Sequence, residues 1–297
     1  KPYRKTLKER VKKLNTYGKQ RDITGNRTRY SKTGRDAAFM RMKDETLKAA
    51  YNARPAVEGE YITGADIFAT ANDGAALKPF PEHLKRMPGR SYKKIVAGAG
   101  YESEENYAYL EEHKQEAYIK PANYERMKRG KFRKDIGTRE NMGYDGIRDE
   151  YTRADNKTLR AVRSETRVSK SGYESEITVY ACENCCGCPL REGCTASQKN
   201  RERGVSKKLL AFREASRENI PSEEGIVLRV NRSIPVEGAF GETKEDSGFC
   251  RVMKREKGGV RGELFLLCFG YNVNKLHHKI QQGRCGTSLH RLKEKAS

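Results

Sequence analysis

No run in this chain approaches the roughly 18–20 consecutive apolar residues that a membrane span needs, so a transmembrane helix is excluded. Its first segment, KPYRKTLKERVKKLNTYGKQRDITGNRTRYSK, lacks the apolar core of a signal peptide, and it opens on Lys instead of Met. The expectation is an intracellular fragment or incomplete gene product with no membrane partner. No glycine-rich phosphate loop, HExxH or GxSxG signature is present, which leaves the familiar routes to nucleotide, zinc-protease or esterase chemistry unsupported. Histidine is scarce. Of the five, His277 and His278 are adjacent and point about 100° apart on a helix, so they cannot share a metal facially. Internal repeats and low-complexity tracts are also missing.

Acid is in short supply as well: 40 Asp and Glu face 61 Lys and Arg, a formal net charge of +21. That imbalance points to a polyanion partner, because each cation placed on a phosphate releases condensed counterions. A basic chain that is merely well dispersed is the alternative. The 297 residues suffice for one large domain or two ordinary ones, each with a real core.

Five stretches are expected. Residues 1–45 form a basic arm, with a positively charged helix over 5–13, read either as solvated or as contacting DNA. Residues 46–121 open the main domain. Two strands within 50–70 meet at Glu58-Gly59-Glu60 as an antiparallel hairpin with Val57 and Ile62 inward. A helix over 75–87, a strand over 93–97, a helix capped by Ser103 with Glu104 and Glu105 in its first turn, and a strand over 116–121 follow. This order predicts a mixed sheet covered by helices. Residues 122–228 interrupt it with the basic run ERMKRGKFRK and two strands, 158–169 and 173–181, leading into the cysteines. Residues 229–283 return to helix, over 231–247 and 263–280, and 284–297 form a basic tail.

Cys182, Cys185, Cys188 and Cys194 make a C-x2-C-x2-C-P-x4-C cluster with Cys186 as an extra thiol. Four soft ligands so close suit a structural Zn²⁺, which would have no open position for catalysis. An iron–sulfur cluster and an unmetallated knuckle remain open, although ferredoxin ligation places the fourth Cys after three residues with Pro behind it.

The segment NRSIPVEGAFGETKEDSGF places Arg232, Ser233, Val236, Glu237, Gly238, Phe240, Gly241, Lys244 and Gly248-Phe249 in a pattern that resembles the C-terminal acidic motif of DDE transposases of bacterial insertion sequences. The group resembled carries a Cys-rich insertion before that motif. SKTGRDAAFMRMK, YNARPAVEGEYITG, IVAGAGYESEENYAYLEE, YIKPANYE, the cysteine cluster and ELFLLCFGYNVNKLHHKIQ look like successive blocks of the same family, covering most of the chain in order. The resemblance implies an α/β, ribonuclease-H-like mixed sheet with flanking helices, interrupted by the Cys-rich insertion. It implies DNA strand cleavage and transfer at the terminal repeats of an insertion sequence, with two Asp and one Glu holding two Mg²⁺ ions. Glu237 matches the third acid. Lys244, two helical turns on, and Arg232 would contact DNA phosphate, joined by Arg126, Lys128 and Arg129 of the basic run. Double-stranded DNA, self-association and a bacterial cytoplasmic location at the nucleoid are the implied partners and place.

Two departures point to impaired catalysis. Gly98 stands where the family pattern A-D-A-G-Y has its second Asp, and the strand expected to bear the first Asp precedes the blocks seen here. Glu102 lies beyond the strand end, Asp66 falls on the second hairpin strand, and Asp36 matches no catalytic position. Pro235 is expected in the first turn of its helix, where it is tolerated. The reading is a truncated, catalytically impaired transposase-family protein. A noncatalytic DNA-binding protein derived from one, or a nuclease with a substituted carboxylate, are the alternatives.

Overall fold

The computed structural model describes residues 2–42, 44–70, 72–85, 92–153, 156–241 and 251–287. Two compact units emerge, one made of residues 1–87 with 230–297 and the other of residues 88–229. In chain order the first unit begins with α1 (Pro2–Thr24), then β1 (Ala38–Arg41), β2 (Leu47–Ala50), β3 (Asn52–Glu58), β4 (Tyr61–Phe68), α2 (Gly74–Leu77) and α3 (Pro79–Lys85). The second holds β5 (Lys94–Ala97), α4 (Glu104–Glu112), β6 (Glu116–Ile119), α5 (Tyr124–Met127), α6 (Gly130–Arg133), β7 (Gly143–Asp145), β8 (Glu150–Thr152), β9 (Thr158–Val168), β10 (Glu174–Cys182), α7 (Arg191–Cys194), β11 (Glu202–Val205) and α8 (Lys207–Asn219). Helix α9 (Glu223–Gly241) spans the boundary, and α10 (Glu256–Gln281) belongs to the first unit.

The basic N-terminal helix is longer than the expected 5–13 segment. Pro2, whose missing N–H costs nothing in a first turn, opens it, and Gly25 at φ 52° closes it by donating to the Arg21 carbonyl. Its outward charges leave residues 3–19 exposed.

Hairpin β3–β4 pairs Val57 with Ile62 and Glu58 with Tyr61 across Gly59-Glu60, both at positive φ as a two-residue turn following right-twisted strands requires. Helix α10 lies on β4. Val260, Leu264, Cys268 and Tyr271, three or four residues apart, form one apolar face against Ile62, Ala65 and Ile67. The Asn272 carboxamide pairs with both the N–H and the C=O of Ile62, 2.8 Å each. A strand edge is thereby satisfied by a helix side chain.

Strands β5 and β6 run parallel, joined by α4 as a parallel pair requires. Ser103 caps α4 by accepting from the Asn106 N–H. Buried Ser216 of α8 accepts from the Ile119 N–H at 3.1 Å and donates to the Ile119 carbonyl at 2.7 Å, closing the outer edge of β6. The expected single mixed sheet is therefore not formed among the described residues: hairpin and parallel pair are separate two-stranded sheets. In each, a polar side chain on a packed helix takes outward backbone groups that another strand would use. Parallel and antiparallel pairing with packed helices is nonetheless mixed α/β content.

The region around the cysteines has more regular structure than its sequence suggested. Strands β7 to β11 form a five-stranded antiparallel meander in chain order, with β9 and β10 as its long centre. Tyr151, Leu159, Tyr180 and Val205 build its core together with Cys182 and Cys185. The three-residue strands β7 and β8 are too short to show an alternation in sequence.

Pro235 corrects another expectation. Helix α9 starts at Glu223, where Ser222 Oγ accepts from the Gly225 N–H, so Pro235 falls in the helix interior and not in its first turn. The same start needs a glycine: a Cβ on Gly225 would lie 2.0 Å from the Asn219 carbonyl oxygen. Backbone cannot yield as a side chain can. Gly225→Ala is expected to lower the unfolding free energy by about 1–3 kcal/mol in urea denaturation. By contrast, Gly238→Ala on the same helix, with open space around it, should be neutral or stabilising.

Candidate functional site

Strand β5 ends at Ala97, and Gly98 caps the following 3₁₀ turn (Ala99–Tyr101) in extended backbone conformation. The strand end where the family pattern has an acid thus presents no side chain. The nearest downstream carboxylate, Glu102, is only 3% exposed and committed elsewhere. Arg213 of α8 grips it through Nε at 2.6 Å and Nη2 at 3.1 Å, and the Ala122 N–H donates to it at 2.7 Å. Glu140 lies 3.9 Å from the same guanidinium. Burial alone would raise the Glu140 carboxyl, but its backbone hydrogen bond, Arg139 and Arg213 hold it below the ordinary range. Two carboxylates are locked to Arg213, and neither is free for a cation.

The other acids singled out in the sequence are also engaged. Buried Asp66 on β4 is paired with Arg261 of α10, Nη2 to Oδ1 at 2.8 Å. Asp36 accepts from the Tyr51 hydroxyl and from the Lys257 N–H. Although burial raises its carboxyl, those hydrogen bonds prevail and hold it below the usual value. Glu60, in the β3–β4 turn, sits 2.7 Å from Lys279 and 3.5 Å from Arg284.

Glu237 lies on α9, and the structure describes its helical backbone but not its side chain. Arg232 is half-buried one turn earlier on α9. Lys244 lies outside the described residues, so the shared helix face expected for Glu237 and Lys244 does as well. Among the described residues, no group of three or more His, Cys, Asp or Glu side chains is gathered to hold a metal ion. Among the described residues, the end of β5 does not offer the carboxylates for the divalent ions that DDE transposase domains generally use: Gly98 stands at the position expected for an acid, and Glu102 is bound by Arg213.

Cys182 ends β10, Cys194 ends α7, and both are buried together with Cys185 and Cys188, while Cys186 is exposed. Among the described residues the sulfurs are not gathered as a group that could hold a metal ion, so the zinc site expected from their spacing finds no support here. Two buried arginines divide them instead. Arg153 approaches Cys182 Sγ at 3.6 Å and Cys188 Sγ at 3.9 Å. Arg201 donates through its backbone N–H to Cys185 Sγ and through Nη1 to Cys194 Sγ, 3.3 Å each. Burial, then its hydrogen bond with Cys185, pushes the Cys182 thiol up. Burial would do the same to Cys185, but the Arg201 N–H, the Cys182 thiol and nearby guanidiniums bring it below the ordinary value. The spacing of the cysteines was legible; Arg153, 29 residues before Cys182, and Arg201 were not.

The basic run folds as two short helices anchored by buried Phe132, with Arg126 over its ring at 5.4 Å. Lys128 stands 4.5 Å over the Tyr124 ring and 3.5 Å from Glu125. Arg126, Lys128, Arg129, Lys131, Arg133 and Lys134 are all exposed. Aromatic groups hold the turn down and leave the cations facing solvent.

A family model described as the transposase DDE domain matches residues 154–277, from just before β9 into α10. This bears out the resemblance to DDE transposases over a stretch that includes the cysteines, Arg232 and Glu237. No curated protein and no solved structure matches the chain.

Two outcomes follow from the pairings. Arg213→Met should cost about 3 kcal/mol in urea denaturation, since it strands the buried Glu102 carboxylate. The double change Arg213→Met with Glu102→Gln should recover much of that loss. On the meander, Lys207 first, then the Tyr180 and Tyr144 hydroxyls, hold Asp149 down at about 2 against an ordinary 3.8. A depressed carboxyl contributes stability that is full above its unfolded value and fades as pH falls through its folded one. Acid titration of stability should therefore decline more steeply between pH 4 and 2 than in an Asp149→Asn variant.

Proposed function

We propose that the chain is a transposase-family protein that binds double-stranded DNA and is catalytically impaired at its DDE centre. The observation that carries this reading is the end of β5: Gly98 offers no ligand, and Glu102 is held by Arg213 and the Ala122 N–H. A third acid, Glu237, cannot by itself organise two cations. The exposed cations of the 126–134 run suit phosphate contact, with Arg126, Lys128 and Arg129 as DNA-contacting residues, and Arg232 and Lys244 are assigned the same role from the motif they share with Glu237.

Binding and cleavage separate cleanly. The chain should bind a random-sequence duplex of about 30 base pairs with affinity that falls steeply with salt, as phosphate contacts dictate. Arg126→Ala, Lys128→Ala and Arg129→Ala together should weaken it roughly tenfold or more and flatten the salt dependence. Supercoiled plasmid incubated with the chain and Mg²⁺ should remain unnicked. Nicking that disappears in Glu237→Gln would sink the impaired reading and favour a nuclease using another carboxylate, while absence of DNA binding would remove both.

The cysteine module is structural in this reading. Its buried thiols are held by hydrogen bonds from Arg153 and Arg201.

A further inference from the structure

The hairpin of β7 and β8 closes over Gly146, Ile147, Arg148 and Asp149, between the paired residues Asp145 and Glu150. At its tip Ile147 is 98% exposed, and among the described residues no other large apolar side chain stands so far out. Turns ordinarily carry Gly, Asn, Asp, Ser or Pro, because those residues either bond the backbone there or free its dihedrals. Isoleucine does neither, and at that exposure nothing in the hairpin packs on it. The turn around it is nevertheless held firmly. Asp145 Oδ1 accepts from the Ile147 N–H at 2.9 Å and from the Arg148 N–H at 3.1 Å. Asp149, at φ 54°, accepts from the Tyr144 and Tyr180 hydroxyls at 2.8 and 2.6 Å and pairs with Lys207 at 2.7 Å. Tyr151 packs on both of those rings.

We propose that Ile147 is a wedge that enters between two stacked bases of duplex DNA and unstacks them. This role rests on the DNA-binding reading and adds what the hairpin tip does in the complex. Three features select this occupant. Ile147 is solitary: Gly146 and Arg148 adjoin it, with Asp145 and Asp149 beyond, so it lacks the contiguous apolar surroundings of a protein interface core. A single branched apolar side chain on a rigid projection does fit the slot between adjacent bases, where inserted Phe, Leu, Ile or Met side chains kink a duplex. Second, the tip carries no excess negative charge to repel phosphate. Asp149 is matched by Lys207, and Asp145 by Arg148, Nε to Oδ2 at 4.0 Å, whose side chain stays 77% exposed. Third, the tip belongs to the same compact unit as the cationic 126–134 run. Asn141, two residues before β7, donates to the Phe132 and Asp135 carbonyls at 2.6 and 2.8 Å. Ile147 lies six residues on from it, a span of roughly 20 Å at full extension. The run and the wedge can therefore lie on one duplex, about six base pairs apart. Because the turn is already fixed, insertion orders little chain, and its main cost is the unstacking itself, which is least at pyrimidine–purine steps such as TA.

A duplex of about 30 base pairs with alternating T and A at its centre, 2-aminopurine replacing the adenines there, reads unstacking as fluorescence at saturating protein. The whole chain should raise it roughly threefold or more, and Ile147→Ala should hold it near the level of the free duplex. Ile147→Phe, a broader wedge, should keep the rise. Because the isoleucine side chain makes no phosphate contact, Ile147→Ala should leave the slope of affinity against salt unchanged, unlike the combined Arg126, Lys128 and Arg129 change. Its circular dichroism and urea midpoint should also match those of the unaltered chain, since the side chain faces solvent. Binding without a fluorescence rise, a rise that survives Ile147→Ala, or one abolished by Ile147→Phe overturns the wedge and leaves DNA binding standing. A chain that binds no duplex at all overturns both.

Discussion

Burying a carboxylate obliges the chain to bury a cation beside it, because an uncompensated charge in a low-dielectric interior costs several kcal/mol. Arg213 with Glu102 is the clearest case here. The pair ties α8 to the turn after β5, and through Ala122 to the segment after β6, so the local geometry of the second unit is built around it. Arg261 with Asp66 and Lys279 with Glu60 do the same between α10 and the β3–β4 hairpin. In a chain of charge +21 such partners are plentiful. Acids are the scarcer resource, and those buried near the sheets are taken up by structure.

That commitment bears directly on chemistry. A pair of divalent ions needs carboxylates whose lone pairs point at a shared space, whereas a carboxylate gripped through both oxygens by arginine and a backbone N–H has none to spare. Glu102 illustrates the difference between being near a site and being available to it. The cysteine module follows related logic with the signs reversed. Arg153 and Arg201 are buried among thiols; at Cys185 the donated hydrogen bonds and nearby guanidiniums outweigh burial and favour the thiolate, while at Cys182 burial prevails.

Exposure separates the two faces of α10 in the same physical terms. Its inner side is held by apolar contacts and by Asn272 standing in for a strand edge, so the helix cannot rotate to hide the outer one. The basic helices α5 and α6 are arranged oppositely, with one buried aromatic and many outward cations. One surface is mostly apolar and the other mostly cationic.

Local features were legible in the sequence because their causes are local. The Gly59-Glu60 turn, the Ser103 cap, the basic run, the cysteine spacing and the ordered blocks around Glu237 each lie within a few residues. So did the alternation of β9 and β10 and the apolar period of α10, although α10 starts seven residues earlier than its pattern suggested and α9 starts eight earlier, placing Pro235 inside a helix. What only the tertiary structure decided are the pairings between distant positions. Arg213 reaching Glu102, Asn272 and Ser216 closing strand edges in place of a shared sheet, and Arg153 and Arg201 dividing four sulfurs depend on approach across 7 to 210 residues of chain. No periodicity records such separations, since a side chain's partner is chosen by packing and by the need to satisfy buried charge and buried hydrogen-bonding groups.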